Sequence, residues 1–86
     1  MFYVYVVRSV KDGRLYTGMT GDLRRRLGDH NRGKTSSLRG RRPLRLVYSE
    51  EYATRSEALA RERYFKTPEG GALKQRLVSG VEKEDR

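Results

Sequence analysis

Five residues of this sequence have the types and the spacing that chemistry at a phosphate ester needs. Two are phenols, one is a guanidinium, one is the only imidazole of the chain and one is a carboxylate: Tyr5, Tyr16, Arg26, His30 and Glu62. A guanidinium stabilises charge that gathers on phosphoryl oxygens, and a carboxylate can hold a divalent metal that polarises the phosphate. A phenol or an imidazole can take a proton from water, but a phenol, with a pKa near ~10, needs nearby cations or a metal to act at neutral pH. The set is consistent with phosphodiester hydrolysis without requiring it.

Arg26 and His30 share one side of a predicted helix. They are four residues apart and therefore neighbours on its surface, and each follows a leucine of the apolar stripe, Leu23 or Leu27, by three residues. This spacing directs both side chains to the rim of the sheet. An ordinary basic helix face, with a histidine favoured at the C-terminus by the helix dipole, fits the same residues.

Glu62 lies on the apolar stripe of a later helix, between Ala58 and Phe65. A carboxylate in that position is costly unless it is paired or binds a metal. The spacing favours equally an ion pair with one of the many arginines and a site for a hard cation such as Mg²⁺. The other carboxylate of this helix, Glu57, is predicted to cap the helix N-terminus.

The two tyrosines lie in the middle of two paired strands. They share a face of the sheet only if the turn between the strands has an even number of residues or a bulge intervenes, and the sequence leaves that parity open. Each tyrosine could also be a simple strand former. Gly18, near the end of the second strand, indicates the close approach of a ligand or of another backbone.

The elements that must position these residues follow in the order ββαβα(α), a small sheet with helices packed on it. Strands are predicted at 2–7, 14–19 and 44–52, and helices from an N-cap at Asp22 or Thr20 to about Gly33 and from a capping box at 54–57 to about Lys66. Residues 33–43 are predicted as a loop. Residues 68–79 are predicted as a short last helix, whose first turn Gly70-Gly71 weakens. One domain is expected over 1–80, followed by a charged, frayed tail over 81–86.

Charge is the most informative bulk property. The 86 residues carry 20 Lys+Arg against 11 Asp+Glu, a net charge of +9, and most of the cations are arginines. Such an excess in a small domain favours a polyanion, usually nucleic acid, as partner over a merely well-solvated surface. The sequence has no apolar run long enough to cross a membrane and no cysteine for a disulfide or a thiolate zinc site, which fits a cytoplasmic protein.

Phosphates of the nucleic acid are expected to contact cations of the first helix and of the loop after it. Such contacts fix register and carry little sequence information. The predicted residues are Arg24, Arg25, Arg32, Lys34, Arg39, Arg41 and Arg42.

The ordered series of motifs over residues 3–67 resembles the GIY-YIG endonuclease superfamily, in particular its small single-domain bacterial members of the excinuclease-subunit-like type. "YVYVVRS" stands at the first signature and "LYTGMT" at the second. "DLRRRLGDHNRGK" is similar to the family's Arg-and-His helix, and "RRPLRLVYSEEYATRSEALARERYFKT" to the following strand and Glu-bearing helix.

The resemblance implies one α/β (α+β) domain with a three-stranded antiparallel sheet flanked by helices, and Mg²⁺- or Mn²⁺-dependent hydrolysis of phosphodiesters in DNA, in a setting such as repair or recombination. By family position, Tyr5 and Tyr16 line the site, with Tyr16 as general base. Arg26 binds the scissile phosphate, His30 assists proton transfer or orients a tyrosine, and Glu62 is the only direct protein ligand of the metal. No small-molecule cofactor and no membrane partner are expected.

One departure bears on activity. Met19 stands three residues after Tyr16, where repair-type members carry a lysine that could lower the tyrosine pKa. No separate DNA-binding domain follows, so low affinity and low sequence specificity are expected. A non-catalytic basic nucleic-acid-binding module with the same fold remains the alternative to a nuclease, and a charged structural domain is a third.

Overall fold

One antiparallel sheet of three strands, in the order β2-β1-β3, forms the centre of the computed structural model, which describes residues 1–84. The strands are β1 (Phe2–Ser9), β2 (Leu15–Thr20) and β3 (Leu44–Tyr52), and the helices are α1 (Leu23–Asn31), α2 (Arg55–Phe65) and α3 (Pro68–Glu84). The predicted α+β class, the three-stranded antiparallel sheet and the element order are confirmed.

The central strand β1 is buried on both faces and divides the core into two layers. Side chains alternate along a strand, so Tyr5 and Val7 point to one face, while Val4 and Val6 point to the other. The first face packs against α1 and the chain that follows it, and we call it the α1 layer. The second packs against α2 and α3, and we call it the α2–α3 layer.

A bulge in β3 places Leu46 and Tyr48, which are two residues apart, in different layers. Val7 pairs with Leu46 but Val6 pairs with Tyr48, so Val47 is an extra residue opposite β1. Leu46 packs in the α1 layer, whereas Tyr48 packs in the α2–α3 layer.

Local capping fixes the starts of α1 and α2 as the sequence predicts. The Asp22 side chain accepts a hydrogen bond from the Arg25 backbone N–H at 3.0 Å. Thr54 and Glu57 form the reciprocal capping box of α2. Each cap satisfies backbone donors that lack partners inside the helix.

Two predicted boundaries differ from the structure. Residues 33–43 are not a plain loop, because Ser36–Arg41 form a 3₁₀ helix that buries Leu38 in the α1 layer. Helix α3 does not end near residue 79 but continues to Glu84, so residues 81–84 are not a frayed tail. The Glu82 carboxylate forms ion pairs with Arg8 at 2.8 Å and with Arg45 at 3.3 Å, and these pairs attach this end of α3 to the sheet. Residues 85 and 86 of the predicted tail lie outside the described residues.

The corner between α2 and α3 depends on Gly70. The Gly70 backbone N–H donates to the Thr67 hydroxyl at 3.0 Å, and that hydroxyl donates to the Tyr64 carbonyl at 2.7 Å. A Cβ at residue 70 would overlap the same Tyr64 carbonyl. The glycine that weakens the predicted first turn of α3 is therefore what lets the two helices meet.

None of the helices described over residues 1–84 is long and apolar enough to cross a membrane.

Candidate active site

The pairing of β1 with β2 puts both phenols in one layer. Tyr5 pairs with Gly18 and Val7 pairs with Tyr16, and directly paired residues project from the same face. Tyr5 and Tyr16 therefore both point into the α1 layer. The register answers the question of parity that the sequence leaves open.

His30 lies between the two phenols and is fully buried. Its Nε2 is 2.7 Å from the Tyr5 hydroxyl and its Nδ1 is 2.7 Å from the Thr35 hydroxyl. The Tyr16 ring packs edge-on against the imidazole, with 5.6 Å between ring centroids. Helix α1 thus brings its histidine inward, against the alternative of an ordinary basic surface.

The hydrogen bonds of His30 favour one tautomer. Burial, aided by the positive charge of Arg26, lowers the pKa of His30, although Asp29 opposes the shift, so the ring is neutral at neutral pH. Burial also raises the pKa of Tyr5, so this phenol keeps its proton. We therefore assign the Tyr5 hydroxyl as donor to Nε2 and Nδ1–H as donor to Thr35.

Gly18 explains how Tyr5 reaches the edge of the sheet. A Cβ at residue 18 would overlap the hydroxyl of Tyr5, so the phenol lies directly over this glycine. The close approach that the sequence predicts at Gly18 is therefore made by a side chain of the protein. Because β2 is an edge strand, this buried hydroxyl lies near the margin of the sheet.

Arg26 and Glu62 both influence the pKa of Tyr5 at this margin of the sheet. Burial is the largest influence on the raised pKa of Tyr5; Arg26 opposes it, while Tyr16 and Glu62 add to it. Arg26 is partly buried, and both phenols raise the pKa of its guanidinium, with Tyr5 the stronger. The guanidinium therefore lies within electrostatic range of both tyrosines.

Glu62 belongs to the α2–α3 layer and approaches the margin from the opposite face. Its side chain is 18% exposed, and its ion-pair partner is Lys66, the C-cap residue of α2, at 3.7 Å. The partner is therefore the lysine that follows this helix and not one of the arginines that the sequence suggests. Among the residues described, no hydrogen bond accompanies this ion pair. The Glu62 carboxylate could therefore bind a cation at a small cost in stability.

A buried polar network holds α2, and with it Glu62, against the sheet. The Glu50 carboxylate of β3 accepts two hydrogen bonds from the Arg61 guanidinium, at 2.9 and 3.1 Å. It also accepts the hydroxyls of Tyr48 at 2.5 Å and of Tyr52 at 2.6 Å. Burial alone would raise the pKa of Glu50, but these donors together hold it below its usual range, and burial beside Glu50 raises the pKa of Tyr48 to about 12. The alternation of Tyr48, Glu50 and Tyr52 is the signal of this network in the sequence.

The cations predicted to contact nucleic acid fall into two groups. Arg24 and Arg25 are exposed on α1, and an open depression of about 390 Å³ lies beside them, lined by Arg25 and Arg26. The others lie near the end of α1 and along the 3₁₀ helix, where internal contacts hold their side chains. Asp29 binds Arg32 and Lys34; backbone carbonyls accept from Arg39 and Arg42; and Arg41 lies 3.9 Å from Asp12.

Sequence reasoning missed Thr35 and Lys74. Thr35 is the N-cap residue of the 3₁₀ helix, and nothing in its local sequence indicates that it contacts a histidine. Lys74 of α3 donates a hydrogen bond to Thr17 of β2 at 3.0 Å, across 57 positions of the chain. Met19 packs among apolar side chains of the α2–α3 layer, which accounts for a methionine at this position.

The buried neutral His30 predicts a pH dependence of stability. The imidazole has a lower pKa in the folded chain than its ordinary value of about 6.5 in the unfolded chain. Stability is therefore complete above about pH 6.5 and falls as the pH decreases below it, with a limiting slope of about 1.4 kcal/mol per pH unit for one proton. Urea unfolding at a series of pH values between about 7.5 and 5 measures this. A His30→Gln variant should show a flatter profile, since the chain has no other histidine; equal slopes in the two proteins would contradict the prediction.

The comparisons with known proteins agree with this geometry. The model of the GIY-YIG catalytic domain matches residues 1–76. The chain belongs to the GIY-YIG family. GIY-YIG proteins form a nuclease superfamily that acts on DNA, so a nuclease-type domain is established for this chain.

Relatives of the same small size support this membership of the GIY-YIG family. The chain is 47% identical to a UPF0213 protein of Staphylococcus saprophyticus and 48% identical to one of Staphylococcus aureus, in each case over 76% of this chain and 79% of the relative. The solution NMR structure of a UPF0213 protein from Bacillus halodurans is 38% identical, with a TM-score of 0.53, over 92% of this chain and 84% of that one.

Proposed function

We propose that this protein is a divalent-metal-dependent endonuclease that hydrolyses phosphodiester bonds in DNA with low sequence specificity, as repair or recombination requires. The observation that carries the proposal is the β1–β2 register, which sets Tyr5 and Tyr16 on one face beside Arg26 and His30. Glu62 acts on the same margin from the other layer.

Arg26 is the residue suited to the scissile phosphate. Its guanidinium lies within electrostatic range of both phenols and lines the open depression beside α1. A guanidinium can donate two parallel hydrogen bonds to phosphate oxygens and stabilise the charge that grows on them during hydrolysis.

The two tyrosines have different surroundings and so suit different roles. Tyr5 is 1% exposed, and its hydroxyl is engaged with His30, which favours a positioning role. Tyr16 is partly exposed and contacts the imidazole by its ring edge, so its hydroxyl is the phenol that water can reach. We assign Tyr16 as the general base, with the Arg26 guanidinium within electrostatic range of it.

Glu62 is the residue that would hold the metal. Among residues 1–84 no group of three or more histidine, cysteine or acidic side chains could enclose an ion, so the carboxylate would act as a single protein ligand. Mg²⁺ commonly binds one or two carboxylates and completes its shell with water and substrate phosphate, which fits this donor set. The bound ion, Mg²⁺ or Mn²⁺, would supply Lewis-acid polarisation of the phosphate and of the leaving oxygen.

Binding along the DNA backbone is assigned to the cations of α1 and of the segment that follows. Arg24 and Arg25 are exposed on α1, next to Arg26, and extend the phosphate track away from it. The remaining cations of this track are Arg32, Lys34, Arg39, Arg41 and Arg42. Contacts of this kind confer little sequence preference.

The experiment is a cleavage assay on linear, flapped and junction-containing DNA with Mg²⁺, with Mn²⁺ and with a chelator. We expect cleavage with either metal and none with the chelator. Salt-sensitive binding without cleavage under any metal condition would contradict the nuclease and favour the non-catalytic binding module, for which the apolar Met19 is the supporting observation.

A further inference from the structure

A lysine that the proposed chemistry does not use is held at the same margin of the sheet. The Lys74 ammonium donates to the Thr17 hydroxyl at 3.0 Å, and Thr17 stands between Tyr16 and Gly18 on the edge strand β2. Thr17 is buried and Lys74 is partly buried. Burying part of a charged side chain against a neutral hydroxyl is costly and points to a partner that arrives later.

The surroundings of Lys74 lack the charge that would compensate it. No carboxylate that the structure describes lies within ion-pair distance of its ammonium, and the charge that acts on it is that of a second cation, Lys66. Burial is the main cause of the lowered pKa of Lys74, and the positive charge of Lys66 adds to it. The partly buried ammonium of Lys74, with the exposed ammonium of Lys66 near it, forms a site for an anion.

The position of this pair relates it to the candidate active site. Lys66 also pairs with Glu62, so the two lysines and the carboxylate lie together in the α2–α3 layer. Arg26 and the phenols lie on the other face of the same edge strand. A DNA strand whose scissile phosphate contacts Arg26 and approaches Glu62 must cross the margin of β2 beside Thr17.

We propose that Lys74, assisted by Lys66 and the Thr17 hydroxyl, binds a backbone phosphate of the DNA strand next to the scissile one. This inference rests on the proposed function for the choice of DNA as the anion. Lys74 supplies the charge, and the buried Thr17 hydroxyl, which accepts a hydrogen bond from Lys74, positions the ammonium for the phosphate. The α2–α3 layer would thereby contribute a second contact to the strand, opposite the cations of α1.

The test is the salt dependence of binding to a short duplex in the presence of chelator, where no cleavage interferes. Replacing Lys74 by methionine keeps an unbranched side chain that is one atom shorter and removes its charge. We expect the slope of log affinity against log salt to become shallower by about 0.9, the value for one lost phosphate contact, and the loss to be similar across DNA sequences. Lys74→Arg should restore the wild-type slope.

The matched control is Lys83→Met, the same change at an exposed position of the same helix. Equal slopes for Lys74→Met and Lys83→Met would overturn the phosphate contact. Because the slope counts phosphate contacts, a purely structural role for Lys74 would lower the melting temperature without this change. Binding and cleavage test the two proposals separately. A shallower slope for Lys74→Met, together with no cleavage by the wild type, would support the phosphate contact and reject the nuclease. Cleavage by the wild type, together with an unchanged slope for Lys74→Met, would support the nuclease and reject the phosphate contact.

Discussion

Replacing Glu62 by glutamine is expected to reduce metal-dependent DNA cleavage to the level seen with chelator, a loss of at least about 100-fold. The substitution keeps the volume of the side chain and removes the negative charge that a hard divalent cation prefers. Changing a residue that only orients a metal ligand commonly lowers metal affinity or activity by about 10–100-fold. Loss of the sole protein ligand should therefore lower activity by at least the upper end of that range. The measurement is the initial rate of plasmid nicking with Mg²⁺ and with Mn²⁺.

The fold should survive this change. Glu62 loses one ion pair with Lys66, and a pair of this length and exposure contributes little to stability. The matched control is Glu51→Gln, which makes the same change at an exposed position of β3 and should cleave DNA like the wild type. Full activity in the Glu62→Gln protein would reject Glu62 as the metal ligand, and with it this form of the nuclease proposal.

Replacing Gly70 by alanine is expected to destabilise the protein by about 3 kcal/mol or more. The new methyl group would overlap the carbonyl of Tyr64, and neither partner is a flexible side chain, so the two helices must move apart. A loss of this size is a large part of the ~5–15 kcal/mol that holds a typical domain folded. Urea or thermal unfolding followed by circular dichroism measures it.

The neighbouring glycine provides the control. A Cβ at Gly71 would meet only the Phe65 carbonyl, at an ordinary contact distance of 3.7 Å. Alanine is favoured over glycine in a helix, so Gly71→Ala should stabilise the protein by about 0.5 kcal/mol. If the two variants change stability in the same direction by similar amounts, the close contact of α2 with α3 at Gly70 is not what constrains this residue.

The sequence predicts well those features that depend on residues close together in the chain. Asp22 caps α1 through the backbone of a residue three positions later, and Thr54 and Glu57 satisfy each other within one turn. The apolar run of β1 is likewise readable, because a strand buried on both faces needs apolar side chains.

The features that the sequence does not predict depend on distant partners. The shared face of Tyr5 and Tyr16 follows from a strand register, which the sequence of the turn leaves open. The continuation of α3 to Glu84 accompanies ion pairs between Glu82 and residues of β1 and β3. Lys74 appears as an ordinary helix lysine until the fold brings Thr17 beside it.

The extra residue Val47 has a consequence for how this domain can vary. Before Val47, the inward side chains of β3 pack in the α1 layer, and after it they pack in the α2–α3 layer. Deleting Val47 would leave Leu46 and Tyr48 consecutive and still opposite Val7 and Val6, so the ladder would become regular while Glu50 stayed on the face of Arg61. A domain built this way should accept insertions in its hairpin turn and also the loss of this one residue of its last strand.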